Sequence, residues 1–166
     1  MTSVAQPVPR RLDAFAVASE PGNERLAITR VAASVSSAGL SAGRLERLKT
    51  AVAEATMNAI EHGNGNHAEI PVDVEVIQHG DDIIVTISDQ GGGPNGDPAA
   101  DAAEDDAEEP DLAKKLVGAQ SPRGWGLFLI RNMVDAMEIT TDGHRHTVWL
   151  TMRTSAPEGA EHDEQV

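Results

Sequence analysis

The sequence predicts an α+β fold in two layers, a two-layer α/β sandwich whose mostly antiparallel, mixed sheet carries helices on one face. Three observations lead there. Pro71 to Gln78 alternates with Val72, Val74 and Val76 on one face, Asp82 to Asp89 repeats the pattern with Ile83, Val85 and Ile87, and the His79-Gly80-Asp81 turn joins them as a hairpin. Glu138 to Thr141 and His146 to Met152 form a second hairpin around Asp142-Gly143. Two helical stretches stand in a row before the first hairpin, whereas a doubly wound parallel sheet needs a helix between nearly every pair of strands.

The remaining elements follow in order. Residues 1–11, with Pro, Ser and Thr, read as a loose arm, and Leu12 to Ser19 places Phe15 and Val17 on one face of an edge strand. After Pro21-Gly22-Asn23, the spacing of Leu26, Val31 and Val35 predicts a first amphipathic helix ending near Gly39. Ser41 is the N-cap of a second helix carrying Leu45, Leu48, Val52, Ala55 and Ile60, which stops at Gly63-Asn64-Gly65-Asn66. Residues 91–111 are rich in Gly, Pro, Ala and acid and predict a long loop, with a frayed helix near Leu112 to Leu116. Gly126 to Met137 reads as a third helix with Leu127, Ile130 and Val134 on one face. The expected organisation is an arm over 1–11, one domain over 12–153 with an acidic segment at 91–123, and an acidic tail over 154–166.

Composition narrows the function. A chain of 166 residues builds one well-buried core, and with aromatics at 2% that core rests on Ala, Val, Ile and Leu. No cysteine is present, so disulfides and thiolate metal sites are excluded. No apolar run approaches a membrane span, which makes the cytoplasm the expected location and a membrane an unexpected partner. The net charge is −14, but residues 97–111 hold eight acids and residues 155–166 hold four, with no base in either stretch. Removing those twelve from the 27 acids leaves fifteen against 13 bases, so the body is near neutral. No basic stripe is available to displace counterions, and nucleic acid is not an expected partner.

Three short segments carry chemistry. Glu54 and Asn58 lie four residues apart on the second helix, hence on one face, where one can act as a base while the other holds a metal. Asn is a poor helix former, and between Met57 and Ala59 its amide needs a partner. Asp89-x-Gly91-x-Gly93 puts a carboxylate at a strand end before glycines that allow sharp turns or hinge motion. Gly124-x-Gly126-Leu127 opens a helix and presents free backbone N–H groups, the usual place for phosphate. Taken singly, the same residues are also compatible with a solvated helix face, a capped turn, a linker and close helix packing. Their order, with the right element under each, points to a nucleotide site.

Residues 53–63 (AEATMNAIEHG), 89–93 (DQGGG) and 123–130 (RGWGLFLI) resemble the N, G1 and G2 boxes of the GHKL (Bergerat-fold) ATPases, and within them the bacterial anti-sigma-factor serine/threonine kinases. The resemblance covers residues 12–153 and implies a mobile ATP lid closing on the helical layer. It also implies ATP and Mg²⁺ as cofactors, with Asn58 as the metal ligand and Glu54 as the catalytic general base. Asp89 would accept a hydrogen bond from the adenine amino group, with Gly91 beside the base and Gly93 at the lid hinge. Gly124, Gly126 and Leu127 would meet the phosphates, Arg123 the terminal phosphate, and Thr147 would support the adenine contact from the last strand. The acidic stretch Asp101 to Asp111 is an unusual insert in such a lid, and Trp125 stands between the G2 glycines.

The function this implies is an ATP-dependent serine/threonine kinase that phosphorylates an anti-sigma-factor antagonist and sequesters a sigma factor by partner switching, with a homodimer left open. Two other readings keep the fold: a nucleotide-gated binding module without catalysis, and a catalytic module acting on a histidine in trans. Retention of both Glu54 and Asn58 speaks for catalysis, since binding alone needs no base.

Overall fold

The computed structural model describes residues 4–91 and 122–155, apart from the side chains of 122–125. Its order is β1 (Arg10–Ala18), α1 (Glu24–Ser34), α2 (Ala42–Asn58) continued by a π-helical turn (Ala59–Gly63), β2 (Pro71–His79), β3 (Asp82–Ser88), α3 (Pro122–Met133), β4 (Ala136–Asp142) and β5 (Arg145–Arg153). The strands form one sheet in the order β1-β2-β3-β5-β4. All four pairings are antiparallel, so the sheet is not mixed among the described residues.

Period-two alternation decides which face is covered. Val72, Val74 and Val76 of β2, Ile83, Val85 and Ile87 of β3, and Leu150 and Met152 of β5 are all fully or almost fully buried. They meet Ala27 and Val31 of α1, Leu48, Val52 and Ala55 of α2, and Ile130 of α3 in one cluster. Each buried Val, Leu or Ile stabilises the fold by about 1.5–3 kcal/mol relative to exposure, which is the main force holding the helices on the sheet. The opposite face stays open, a shallow concavity of about 520 Å³ lined by Asp73, Glu75, Thr86, Thr147 and Trp149 among others.

Polar contacts fix the helices at their ends. Ser41 Oγ accepts the Arg44 N–H at 3.2 Å, the expected N-cap of α2. Two-pronged Arg30 of α1 donates to Asp13 of β1 at 2.7 and 3.1 Å, while its guanidinium lies 4.4 Å from the centre of the Phe15 ring. On the other side, Arg47 of α2 donates to the Asn132 carbonyl at 3.1 Å and so satisfies the end of α3. Arg44 pairs with Asp135 at 3.0 Å, and Asp135 accepts the Arg153 N–H at 2.7 Å. These contacts set α3 against α2.

Three boundaries differ from expectation. The third helix runs from Pro122 to Met133, not from Gly126 to Met137. Proline at the first helical position is a better start than glycine, since its missing N–H is not needed there. Ala136 and Met137 instead pair with Thr151 and Leu150 in the sheet, where ladder bonds outweigh their helical spacing. The edge strand begins at Arg10, which pairs with Gln78, so residues 10 and 11 of the expected arm belong to the sheet. The first helix ends at Ser34, five residues short of Gly39, which takes φ 87° in the following turn. Both hairpins turn where expected, with Gly80 and Gly143 at φ 60° and 62°. No helix among the described residues is long and apolar enough to cross a membrane.

Candidate nucleotide site

The last turns of α2 carry Glu54 and Asn58 on one face, and α3 passes directly over them. A methyl group at Gly126 would lie 3.3 Å from Asn58 Nδ2 and 3.4 Å from Glu54 Oε2, so glycine lets the α3 backbone stand against both side chains. Asn58 Nδ2 is buried and has no hydrogen-bond partner among the described residues. A buried amide with unused donors is costly unless something occupies the space beside it. Two of the three motifs therefore meet here, the α3 backbone at Gly126 standing against the Glu54 and Asn58 side chains.

Directly after Asn58 the helix widens into a π turn, closed by the Asn64 N–H donating to the Ala59 carbonyl at 2.9 Å. It ends at Gly63, whose Cα lies against the Asp89 carboxylate so closely that any β-carbon there would collide with it. From Asn58 to Gly63 is five residues, about 7.5 Å along a helix axis at the α-helical rise. Fully buried Asn64 ties the two motifs together. Its Oδ1 accepts the Gln90 N–H at 2.8 Å, while its Nδ2 donates to Ser19 Oγ at 3.0 Å and to the Pro71 carbonyl at 3.2 Å.

Asp89 leaves the end of β3 on the covered face and is 8% exposed. Its Oδ1 accepts the Gly91 N–H at 2.9 Å and bonds His146 Nδ1 at 3.1 Å, and its backbone N–H donates to the His146 carbonyl at 3.0 Å. Oδ2 lies against the Cα of Gly63. Burial pushes the carboxyl above its ordinary 3.8, with the His146 hydrogen bond and charge and the Gly91 N–H acting in the opposite direction. Gly91 takes φ 65° with its Cα against the His144 carbonyl, so neither its conformation nor its space admits another residue.

The expected residues divide into three groups. Glu54, Asn58 and Gly126 come together, and Asp89 and Gly91 form the second half of the site. Thr147 is not part of it: successive strand residues face opposite sides, and its hydroxyl bonds Ser88 Oγ at 2.8 Å on the open face. His146, one residue earlier, is the β5 side chain that reaches Asp89. Leu127 packs its side chain on the hydrophobic core. With α3 starting at Pro122, Gly124 falls in the first turn, where an N–H has no acceptor within the helix, whereas Gly126 lies in the second, where its N–H belongs to the helix. Gly93, the Arg123 and Trp125 side chains, the acidic stretch 97–111 and the helix expected near Leu112 lie outside the described residues.

Sequence reasoning missed Asn64 and His146 as parts of the site, and it held Gly63 only as the end of the segment 53–63, with no contact to Asp89. Past Gly63 the run Asn64-Gly65-Asn66 carried only a stop signal, and a histidine inside a strand carries none.

Comparison with known proteins gives the family. Residues 17–152 match the family described as "Histidine kinase-like ATPase domain". The chain is 33% identical over 143 residues to the anti-sigma F factor of Oceanobacillus iheyensis, covering 86% of this chain and 90% of that protein. Among solved structures, a chain of the SiaB-SiaC complex of Pseudomonas aeruginosa superposes with a TM-score of 0.64 at 12% identity over 86% of this chain and 90% of that one. The RsbU and RsbW domains of a Mycobacterium tuberculosis protein superpose at 0.59 and 17% identity over 90% of this chain, which spans 33% of that longer chain. The match over residues 17–152 and the 33% identity along most of both chains place this chain, with its α2–α3 layer on an antiparallel sheet, in the histidine kinase-like ATPase family, alongside the anti-sigma F factor.

Proposed function

We propose that this chain is an ATP-dependent protein serine/threonine kinase that acts as an anti-sigma factor, phosphorylating an antagonist protein and holding a sigma factor in alternation with it. The observation that carries the reading is the convergence of Glu54, Asn58 and Gly126 at one end of the π turn and of Asp89 at the other. The 33% identity to an anti-sigma F factor supports the partner class.

In this reading adenine sits at Asp89, whose Oδ2 accepts from the exocyclic amino group, and the phosphates extend toward Asn58 and the first turn of α3. The helix start offers free N–H groups to the phosphate oxygens, including that of Gly124. The donor set also suits Mg²⁺: among the described residues no cluster of three or more His, Asp or Glu exists to cage an ion, and Mg²⁺ on a nucleotide needs only one or two protein ligands. Asn58 would hold it through its side-chain oxygen, while its buried Nδ2, without a partner among the described residues, would be left to donate to a phosphate oxygen. When bound, the ion neutralises phosphate charge. Glu54 takes the proton of the incoming Ser or Thr hydroxyl as its oxygen bonds the γ-phosphorus and the bridging bond to the β-phosphate breaks, releasing ADP.

The test is incubation with γ-labelled ATP and a cell lysate, followed by identification of the labelled protein and residue. The reading expects acid-stable phosphoserine or phosphothreonine on a small protein. An acid-labile phosphohistidine would replace it with catalysis on a histidine in trans, and binding of ATP without transfer would leave a gated binding module.

A further inference from the structure

The side chain that β5 sends to Asp89 is not explained by the motifs. His146 is 9% exposed, in a strand that between its terminal Arg145 and Arg153 is otherwise Thr, Val, Trp, Leu and Met, and a buried imidazole in such company needs a reason. Its Nδ1 lies 3.1 Å from Asp89 Oδ1, the oxygen that also takes the Gly91 N–H. With two donors on Oδ1, rotation of the carboxylate about its Cβ–Cγ bond would break both. Oδ2 is therefore held in one place, against Gly63. The backbone repeats the coupling, since the Asp89 N–H donates to the His146 carbonyl.

We propose that His146 is a positioning residue for base recognition: by donating from Nδ1 to Asp89 Oδ1 it keeps the carboxylate ionised and presents Oδ2 to the exocyclic amino group of an adenine nucleotide. This rests on the nucleotide site described above. The donor is present whether the ring is neutral or protonated, and protonation adds a positive charge beside the carboxylate. His146 thus opposes protonation of Asp89 across the physiological range. Other charged groups nearby are few. From the β4–β5 turn His144 packs its backbone on Gly91, and Arg145 points to the open face, paired with Asp73 at 3.0 Å. The end of the π turn presents Gly63, flanked by Glu61 and His62, followed by neutral Asn64. Gly126 is the α3 residue at the Glu54–Asn58 end, and the basic Arg131 lies in the last turn of that helix.

The experiment measures ADP and inosine diphosphate affinity between pH 5 and 8 for the full chain, His146→Leu and His146→Asn, with thermal unfolding to verify that each is folded. Inosine diphosphate has a carbonyl where adenine has the amino group, so it reports the rest of the site. Expected is a loss of about tenfold in ADP affinity in His146→Leu, little change for inosine diphosphate, and recovery of most of the loss in His146→Asn, whose amide replaces the Nδ1–H donor. The fall of ADP affinity on acidification should move to higher pH in His146→Leu. A carbon-13 titration of the Asp89 carboxyl without nucleotide should move the same way, and it remains readable if either variant is less stable. ADP binding that ignores both substitutions, or an unmoved Asp89 titration, overturns the role of His146 alone. A parent chain that binds no ADP overturns this inference together with the nucleotide site.

Discussion

The Asp89 carboxylate rests on the Cα of Gly63, at a distance that leaves no room for a β-carbon. The residue that ends the helix is thus also the floor beneath the carboxylate. Gly63→Ala must push Asp89 or the π turn aside, at a cost of about 1–3 kcal/mol for overpacking at a buried position. The expected outcome is a lower melting temperature together with a loss of ADP affinity larger than that for inosine diphosphate. Chemical denaturation and calorimetry measure the two effects separately; unchanged adenine preference in a folded variant would remove the contact from base recognition.

Asp89 itself sets a pH dependence. Because burial raises its carboxyl above 3.8, the native protein takes up this proton at a higher pH than the unfolded chain does. The acceptor for an amino group is then lost as pH falls through the raised value, so ADP affinity should be flat at neutral pH and decline on acidification. Asp89→Asn should bind adenine nucleotides more weakly with or without Mg²⁺ and lack that decline. For stability the sign is the reverse of a salt-bridged carboxylate: the contribution of this group is greatest below 3.8 and diminishes as pH rises through the folded value.

Glu54 and Asn58 should separate by the step they affect. Glu54→Gln keeps the shape of the site and should preserve ATP binding while lowering phosphotransfer by roughly two to four orders of magnitude, the range for a positioned general base. Asn58→Ala should remove most of the Mg²⁺-dependent part of ATP affinity and leave the metal-independent part. Single-turnover transfer and calorimetry with and without Mg²⁺ decide these; full transfer by the Gln variant takes Glu54 out of the chemistry.

Far from the site, Asp13 fastens α1 to the sheet edge. Burial acts to raise its carboxyl, but the Arg30, Ser34 and Ala14 hydrogen bonds and the Arg30 charge bring it below 3.8. Its stabilisation is therefore present above the unfolded value and lost as pH falls from 3.8 through the lower folded value. Arg30 is about half exposed, so solvent screening holds the pair to less than about 1 kcal/mol. Arg30→Gln should lower the melting temperature slightly at neutral pH in low salt, with the difference from the parent shrinking below pH 3.8 and in high salt. A difference that grows with acidification would refute the pairing.

Strand alternation, the Ser41 cap and the glycine turns were legible because they depend on neighbours in the chain. The valines of β2 and isoleucine–valine face of β3 could only be buried by a layer on that side, and so the helices lie there. Glu54 and Asn58 were legible as a pair for the same reason, since four residues along a helix is a local relation. The α3 boundaries were not. Ala136 and Met137 keep a helical spacing, and only the ladder with Leu150 and Thr151 makes them a strand.

What the sequence by itself determined is the set of elements and the chemical groups they carry: a carboxylate and an amide on one helix face, a carboxylate at a strand end, and glycines at a helix start. What only the tertiary structure decided is which of these groups meet. Gly126 contacts Glu54 and Asn58 because Arg44 and Arg47 of α2 hold the far end of α3, a relation spanning 91 and 85 residues of chain. Likewise β3–β5 pairing selects His146 over Thr147 as the neighbour of Asp89, because a one-residue difference along a strand exchanges the covered face for the open one. Such contacts depend on register between distant segments, and no local pattern encodes a register.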